Sequence, residues 1–177
     1  YIWLYFFRRE LLLNNNLKFE ERVNMQDSEI LPRIMHHVKS VAFLNKEIYS
    51  YVNRPDSFIN NRNKNVRIKY YKSVLTVSHL LSKFQSGLYE ESLISKALKF
   101  KLQEINRILF FSFLYDPFDK DSLKEILVET KKNNLYPFKS FSIENKTKYY
   151  IYNTLRVFIN KYPIKTRQIF WKLKSFL

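Results

Sequence analysis

The chain of 177 residues contains no cysteine and a single glycine, Gly87. Without cysteine there is no disulfide framework, no thiol nucleophile and no thiolate zinc site. One glycine is too few for a phosphate-cradling loop or a dinucleotide fingerprint, because both need several permissive backbone positions close together. Histidine is almost as scarce, with His36, His37 and His79 the only three. Neighbouring residues on a helix diverge by about 100 degrees, so His36 and His37 cannot both turn to one ligand. His79 falls between Val77 and Leu81 in a helical stretch. No nucleophile, base and oxyanion donor assemble, so the chain is read as having no catalytic residue, no metal ligand and no cofactor. Long apolar runs are missing too. Tyr1 to Phe7 is the most apolar stretch, but Arg8-Arg9-Glu10 interrupt it far short of the roughly 20 residues that cross a bilayer. It also lacks the cationic lead-in and small-residue cleavage site of a secretory signal. No membrane contact is expected. Asp116, Asp119 and Asp121 lie close together without the glycine and distal glutamate of a calcium loop, and read as a loop followed by a helix N-cap.

Acid is in short supply as well. Lysine and arginine number 31 against 16 aspartates and glutamates, a net charge of +15. Such an excess points to nucleic acid or an anionic surface; a basic protein that is merely soluble is the plain alternative. The excess is uneven. Residues 1–65 hold ten bases and seven acids, whereas Phe138 to Leu177 holds nine bases and one acid, Glu144. Hydrophobic residues make up 46%, enough for a core within one domain plus some extra material. Lys, Asn, Ile, Phe and Tyr are common and Gly, Ala and Pro rare, the bias of a gene in an extremely AT-rich genome, as many organelle genomes are.

Apolar periodicity places the elements. Asn14-Asn15-Asn16 reads as a turn and Glu20 to Gln26 as a short helix. Asp27-Ser28 is a plausible helix start, and Ile34, Val38, Val41, Leu44 and Ile48 continue at helical spacing until Asn53-Arg54-Pro55-Asp56. Val74, Val77, Leu80, Leu81 and Phe84 predict a helix over 73–86 that closes on Gly87. Leu93 through Leu109 predicts one over 90–111, stopped by Asp116-Pro117. A fourth begins at Asp121-Ser122 and ends near Asn134. Then Phe138 to Ile143 alternates polar and apolar residues, Glu144 to Thr147 reads as a tip, and Tyr149 to Ile159 is aromatic and β-branched. That composition suits a pleated surface, so 138–161 is expected to be a β-ribbon, followed by a basic helix from Thr166. The fold class is mainly α: a helical bundle with one protruding β-ribbon.

From Tyr71 onward the order of features resembles the universal small-subunit ribosomal protein S-seven family. Tyr71-Lys72-Ser73-Val74-Leu75 matches the opening of that family's first helix, and Gly87 falls at its closing turn. Ala97 sits mid-way in the next amphipathic helix. Asn134-Leu135-Tyr136-Pro137 matches the ending of a later one. Pro163 to Arg167 and Trp171-Lys172 resemble the basic helix after the ribbon. The family's two lysines after the turn glycine are Leu88-Tyr89 here, and its paired ribbon glycines are absent. The resemblance covers about 66–177, leaves 1–65 as a lineage-specific extension, and places two further family helices after Leu177. It implies a structural constituent of the small ribosomal subunit, binding the 3′ head domain of its rRNA beside neighbouring small-subunit proteins, near the mRNA exit and exit-site tRNA. Combined with the compositional bias, it implies a mitochondrial ribosome. The rRNA contacts expected are Arg67, Lys69, Lys72, Lys146, Lys148, Lys161, Lys165, Arg167 and Lys172. Tyr149 and Tyr152 are candidates either for base stacking or for core packing. The alternative is a basic helical accessory subunit of a large organelle membrane complex, held by protein contacts alone.

Overall fold

A computed structural model describes residues 2–52, 57–58 and 60–174. It is mainly helical, and its described residues contain no strand. A short 3-10 turn at Ile2–Leu4 precedes α1 (Arg9–Asn14), α2 (Gln26–His37), α3 (Lys64–Ser86), α4 (Leu93–Tyr115), α5 (Lys120–Lys132), α6 (Lys146–Lys161) and α7 (Pro163–Lys174).

The centre is the α3–α4 pair with α5 laid across it. Each of the three starts on a side-chain cap that satisfies an otherwise unpaired backbone donor. Asn63 accepts from the Asn65 N–H, Ser92 from Ser95 and Asp119 from Ser122. Asp119 therefore caps a helix, as its place in the acidic cluster suggested. Tyr71, Val74, Val77 and Leu81 of α3 meet Leu98, Ile105, Leu109, Phe110 and Phe113 of α4, with Leu123 and Ile126 of α5, in one buried cluster. Fully burying each such side chain contributes about 1.5–3 kcal/mol relative to exposure. The predicted α3–α4 hairpin is therefore present, with Val77, Leu81 and Leu98 all inside. Gly87 stands at the junction in an ordinary right-handed conformation, φ −87°.

Two polar devices lock this core. The Tyr71 hydroxyl lies 3.0 Å from Thr130 Oγ1, whose own hydroxyl donates to the Ile126 carbonyl. Asp116, buried just beyond α4, accepts from Arg67 Nη2 at 2.9 Å and from the Ser112 hydroxyl.

Three expectations are corrected. Residues 138–161 are not a β-ribbon. Phe138 and Phe141 turn inward three residues apart, off the period of two a strand needs, and side-chain amides satisfy the backbone here instead of a neighbouring strand. Asn160 accepts from the Phe138 N–H and donates to its carbonyl, both at 2.9 Å, and Asn106 makes the same pair with Lys139. The second arm is α6, started by the Asn145 side chain accepting from Lys148 N–H. Tyr152, Leu155 and Ile159 pack inward at helical spacing, and this tertiary demand overrides the strand propensity of Tyr, Ile and Phe. The second correction is in the extension: α2 ends at His37, and residues 39–52 are non-helical and exposed throughout. Trp3 stacks on Tyr49 and Tyr51, but Val41, Leu44 and Ile48 stay largely in solvent, and without a buried face a short helix is not stable. The stop expected at Asn53-Arg54-Pro55-Asp56 lies outside the described residues. Third, residues 20–25 form turns rather than a helix, with Arg22 (φ 59°) and Met25 (φ 65°) left-handed.

Candidate nucleic-acid interface

The charge-rich stretch is built as a helical hairpin, α6–Tyr162–α7, with Pro163 opening α7 where a missing N–H costs nothing. The inner face of α6 is occupied: Asn160 and Arg156 hold the Phe138 carbonyl, Asn153 donates to the Phe141 carbonyl, and the Tyr136 hydroxyl donates to the carbonyls of Ile159 and Asn160. The outer face is open. Tyr150 is 68% exposed, and Phe158 and Tyr162 are more than half exposed. Tyr150 lies in the first half of α6, Phe158 in its last turn and Tyr162 at its C-cap.

The same hairpin carries Lys146 and Lys148 in the first turn of α6, Lys161 in its last turn and Lys165 on α7, all exposed. None of the four makes an ion pair among the described residues; the ion pairs described lie between Glu29 and Glu129. The first turn of α6 contains no acid. Two lysines there sit at the positive end of the helix dipole, an arrangement that repels itself and favours a bound anion. Lys161 reaches over the Tyr162 ring at 5.4 Å.

The other expected contacts are placed differently. Arg167 is 6% exposed, and its guanidinium is spent inside the fold. It donates to the carbonyls of Phe113 (2.6 Å), Phe118 (3.2 Å) and Asp116. One turn on, Trp171 Nε1 donates to the Leu114 carbonyl at 2.8 Å. Together they satisfy carbonyls that the C-terminus of α4 leaves unpaired. Burial pulls the Arg167 pKa down to about 10, against the attraction of the Asp116 charge. Arg67 is buried against Asp116, stacked over the Tyr70 ring at 4.4 Å, with its Nε unpartnered. Lys72 is bound to Glu125 (2.6 Å) and Glu129 (3.3 Å). The Glu125 hydrogen bond holds its ammonium above the ordinary lysine value, Glu129 adds to this, and partial burial opposes it.

Lys69 is exposed on α3 and lines a cleft with Arg22. Lys172 is exposed near the end of α7. Tyr149 is partly open and meets Tyr150 edge-on. Tyr152 packs: its ring meets Phe111 edge-on at 4.8 Å and its hydroxyl lies 2.7 Å from that of Tyr115. Burial, then that hydrogen bond, push the Tyr115 phenol up.

Tyr150, Phe158 and Tyr162 are absent from the expected contacts, because alternation at a period of two does not show which face of a helix stays open. Among the described residues no cluster of three metal-ligating side chains occurs, and no helix is long and apolar enough to cross a membrane. No family model, no curated protein and no solved structure matches the chain.

Proposed function

We propose that the chain is an RNA-binding structural protein whose α6–α7 hairpin lies on the RNA. The observation that carries this is the segregation of charge. On α3–α5 the acids take up Lys64, Arg67, Lys72, Lys96, Lys99, Lys101 and Lys124, while on the hairpin Lys146, Lys148, Lys161 and Lys165 stand without an acid, beside exposed aromatics. Unpaired cations supply sequence-independent affinity for phosphates, and flat rings beside them offer unpaired bases a stacking surface. Such a protein fits the role implied by the S-seven resemblance, a constituent of the small ribosomal subunit on the head domain of its rRNA, in a mitochondrial ribosome. The α3–Gly87–α4 hairpin and the Asn134 to Pro137 ending of the α5 segment support that finer reading. Any contact with mRNA or exit-site tRNA falls to the hairpin, because the ribbon expected to make it is a helix. A subunit held by protein contacts alone is the second reading, favoured by the exposed segment 39–52, where Val41, Phe43 and Leu44 stand in solvent.

Binding of the purified chain to small-subunit rRNA fragments across a salt series separates the two. Four neutralised phosphates give a slope of log affinity against log salt of about −3. A flat response removes RNA as the partner and leaves the protein-contact reading.

A further inference from the structure

A cleft of about 400 Å³ lies between the 20–25 turn and the outer face of α3. Its lining carries three cations, Arg22, Lys69 and Lys72, two apolar side chains, Val23 and Ile68, and the hydroxyls of Ser73 and Thr76. Lys72 is held by Glu125 and Glu129. Arg22 and Lys69 are exposed and make no ion pair among the described residues. No acid lines the cleft.

Arg22 is placed there against its own backbone preference. A non-glycine residue at φ 59° is uncommon, and Met25 repeats the conformation three residues on. The turn is over-determined from both sides: Asn24 Nδ2 donates to Ser73 Oγ at 3.2 Å, and Val23 and Met25 pack on the core. A turn strained at the residue that delivers a cation to a cleft fits a binding role better than a connector, which needs no such strain.

The lining combines two uncommitted cations with a small apolar patch and two hydroxyls. Two cations alone would suit any anion. The patch adds a surface for a flat apolar group, so the matching ligand joins a phosphate to a ring. We propose that this cleft binds a nucleoside monophosphate unit, the phosphate between Arg22 and Lys69 and the base over Val23 and Ile68. The unit is either a free nucleotide or one unstacked nucleotide of a strand. In the second case the proposal deepens the RNA reading, by adding a contact on the face opposite in character to the hairpin's open lysines.

The test follows the methyl signals of Val23 and Ile68 by NMR in the full chain, titrated with adenosine 5′-monophosphate, adenosine, inorganic phosphate and hexaadenylate. The expected result is a saturable shift with the monophosphate, weaker shifts with adenosine or phosphate alone, and a loss of at least about tenfold in affinity in Arg22→Glu/Lys69→Glu. Both positions are exposed, so the variant keeps its helix content by circular dichroism. Hexaadenylate binding about tenfold or more tighter than the monophosphate assigns the unit to a strand, and equal affinity assigns a free nucleotide. Phosphate binding as well as the monophosphate means an anion site only and overturns the proposal. So does the absence of any saturable shift, or unchanged binding in the variant. Removing the hairpin lysines leaves the monophosphate shifts in place, so a flat rRNA salt response alongside intact shifts fails the RNA reading and spares this one.

Discussion

The α3–α5 region and the α6–α7 hairpin use cations differently. On α3–α5 seven bind the protein to itself, among them Lys64 with Asp119, Arg67 with Asp116 and Lys72 with Glu125 and Glu129, while others such as Lys69 stay open. On the hairpin Arg156 and Arg167 turn inward onto backbone carbonyls, and Lys146, Lys148, Lys161 and Lys165 are left in solvent beside exposed Tyr150, Phe158 and Tyr162. Total charge is therefore a poor guide to partners. What matters is how many cations have a carboxylate within reach, and that number differs between two halves of one small bundle.

The sharpest way to break the contrast is to remove the acid at the centre of the paired half. Asp116→Ala leaves Arg67 buried without its counter-ion, and breaking a buried pair from one side costs about 3–5 kcal/mol. Urea unfolding reads this directly, and a loss under about 1 kcal/mol shows that water has replaced the pair. The next largest effect falls on binding. Changing Lys146, Lys148, Lys161 and Lys165 together to Gln lowers the magnitude of the RNA salt slope by about 3, with little change in stability. Changing the paired Lys64, Lys96, Lys99 and Lys124 to Gln moves it by less than about 1. Equal changes from the two sets erase the distinction.

Tyr71→Phe is smaller. It removes a buried hydroxyl whose partner Thr130 keeps its own bond to Ile126, costing about 0.5–1.5 kcal/mol at neutral pH. It also changes the alkaline behaviour. Burial raises the Tyr71 pKa above its ordinary 10.0. The unfolded chain loses that proton first, so this contribution to stability is whole below pH 10 and is lost as pH rises toward the folded value. Urea midpoints between pH 9 and 11 fall less steeply in Tyr71→Phe; parallel curves mean that the phenol ionises in place. The smallest effect is at the junction. A Cβ on Gly87 would meet only the Phe84 carbonyl, at 3.6 Å, and φ is right-handed. Gly87→Ala is therefore neutral or stabilising by up to about 1 kcal/mol, by thermal unfolding.

Much of the bundle was legible because α3, α4 and α5 each bury one periodic face, and a buried face leaves its spacing in the sequence. The ribbon was misread because two local signals competed. Tyr, Ile and Phe favour strands, but Asn145, Asn153 and Asn160 together specify a capped helix gripping the loop before it, and asparagine hydrogen bonds across 12 and 22 residues leave no periodic trace. The set of open cations was half legible for a related reason. Sequence shows where the lysines are, but the acids that neutralise them lie about fifty positions away, as Lys72 and Glu125 do. Arg167 and Trp171 carried a readable sign, the i, i+4 spacing of one face, without a sign that the face closes on α4.

That closure sets an order on how the protein can be made. The carbonyls at the end of α4 are satisfied by a residue 51 positions later, Arg167 on Asp116. During synthesis at about 5–20 residues per second, those positions take roughly 3–10 seconds to follow. Through that interval the newborn chain has α3, α4 and α5 available to pack, but the far end of α4 must rely on water. The last helix to emerge is thus the one that finishes an earlier one, and a ribosome halted before Arg167 holds a bundle whose middle is packed and whose seam is still open.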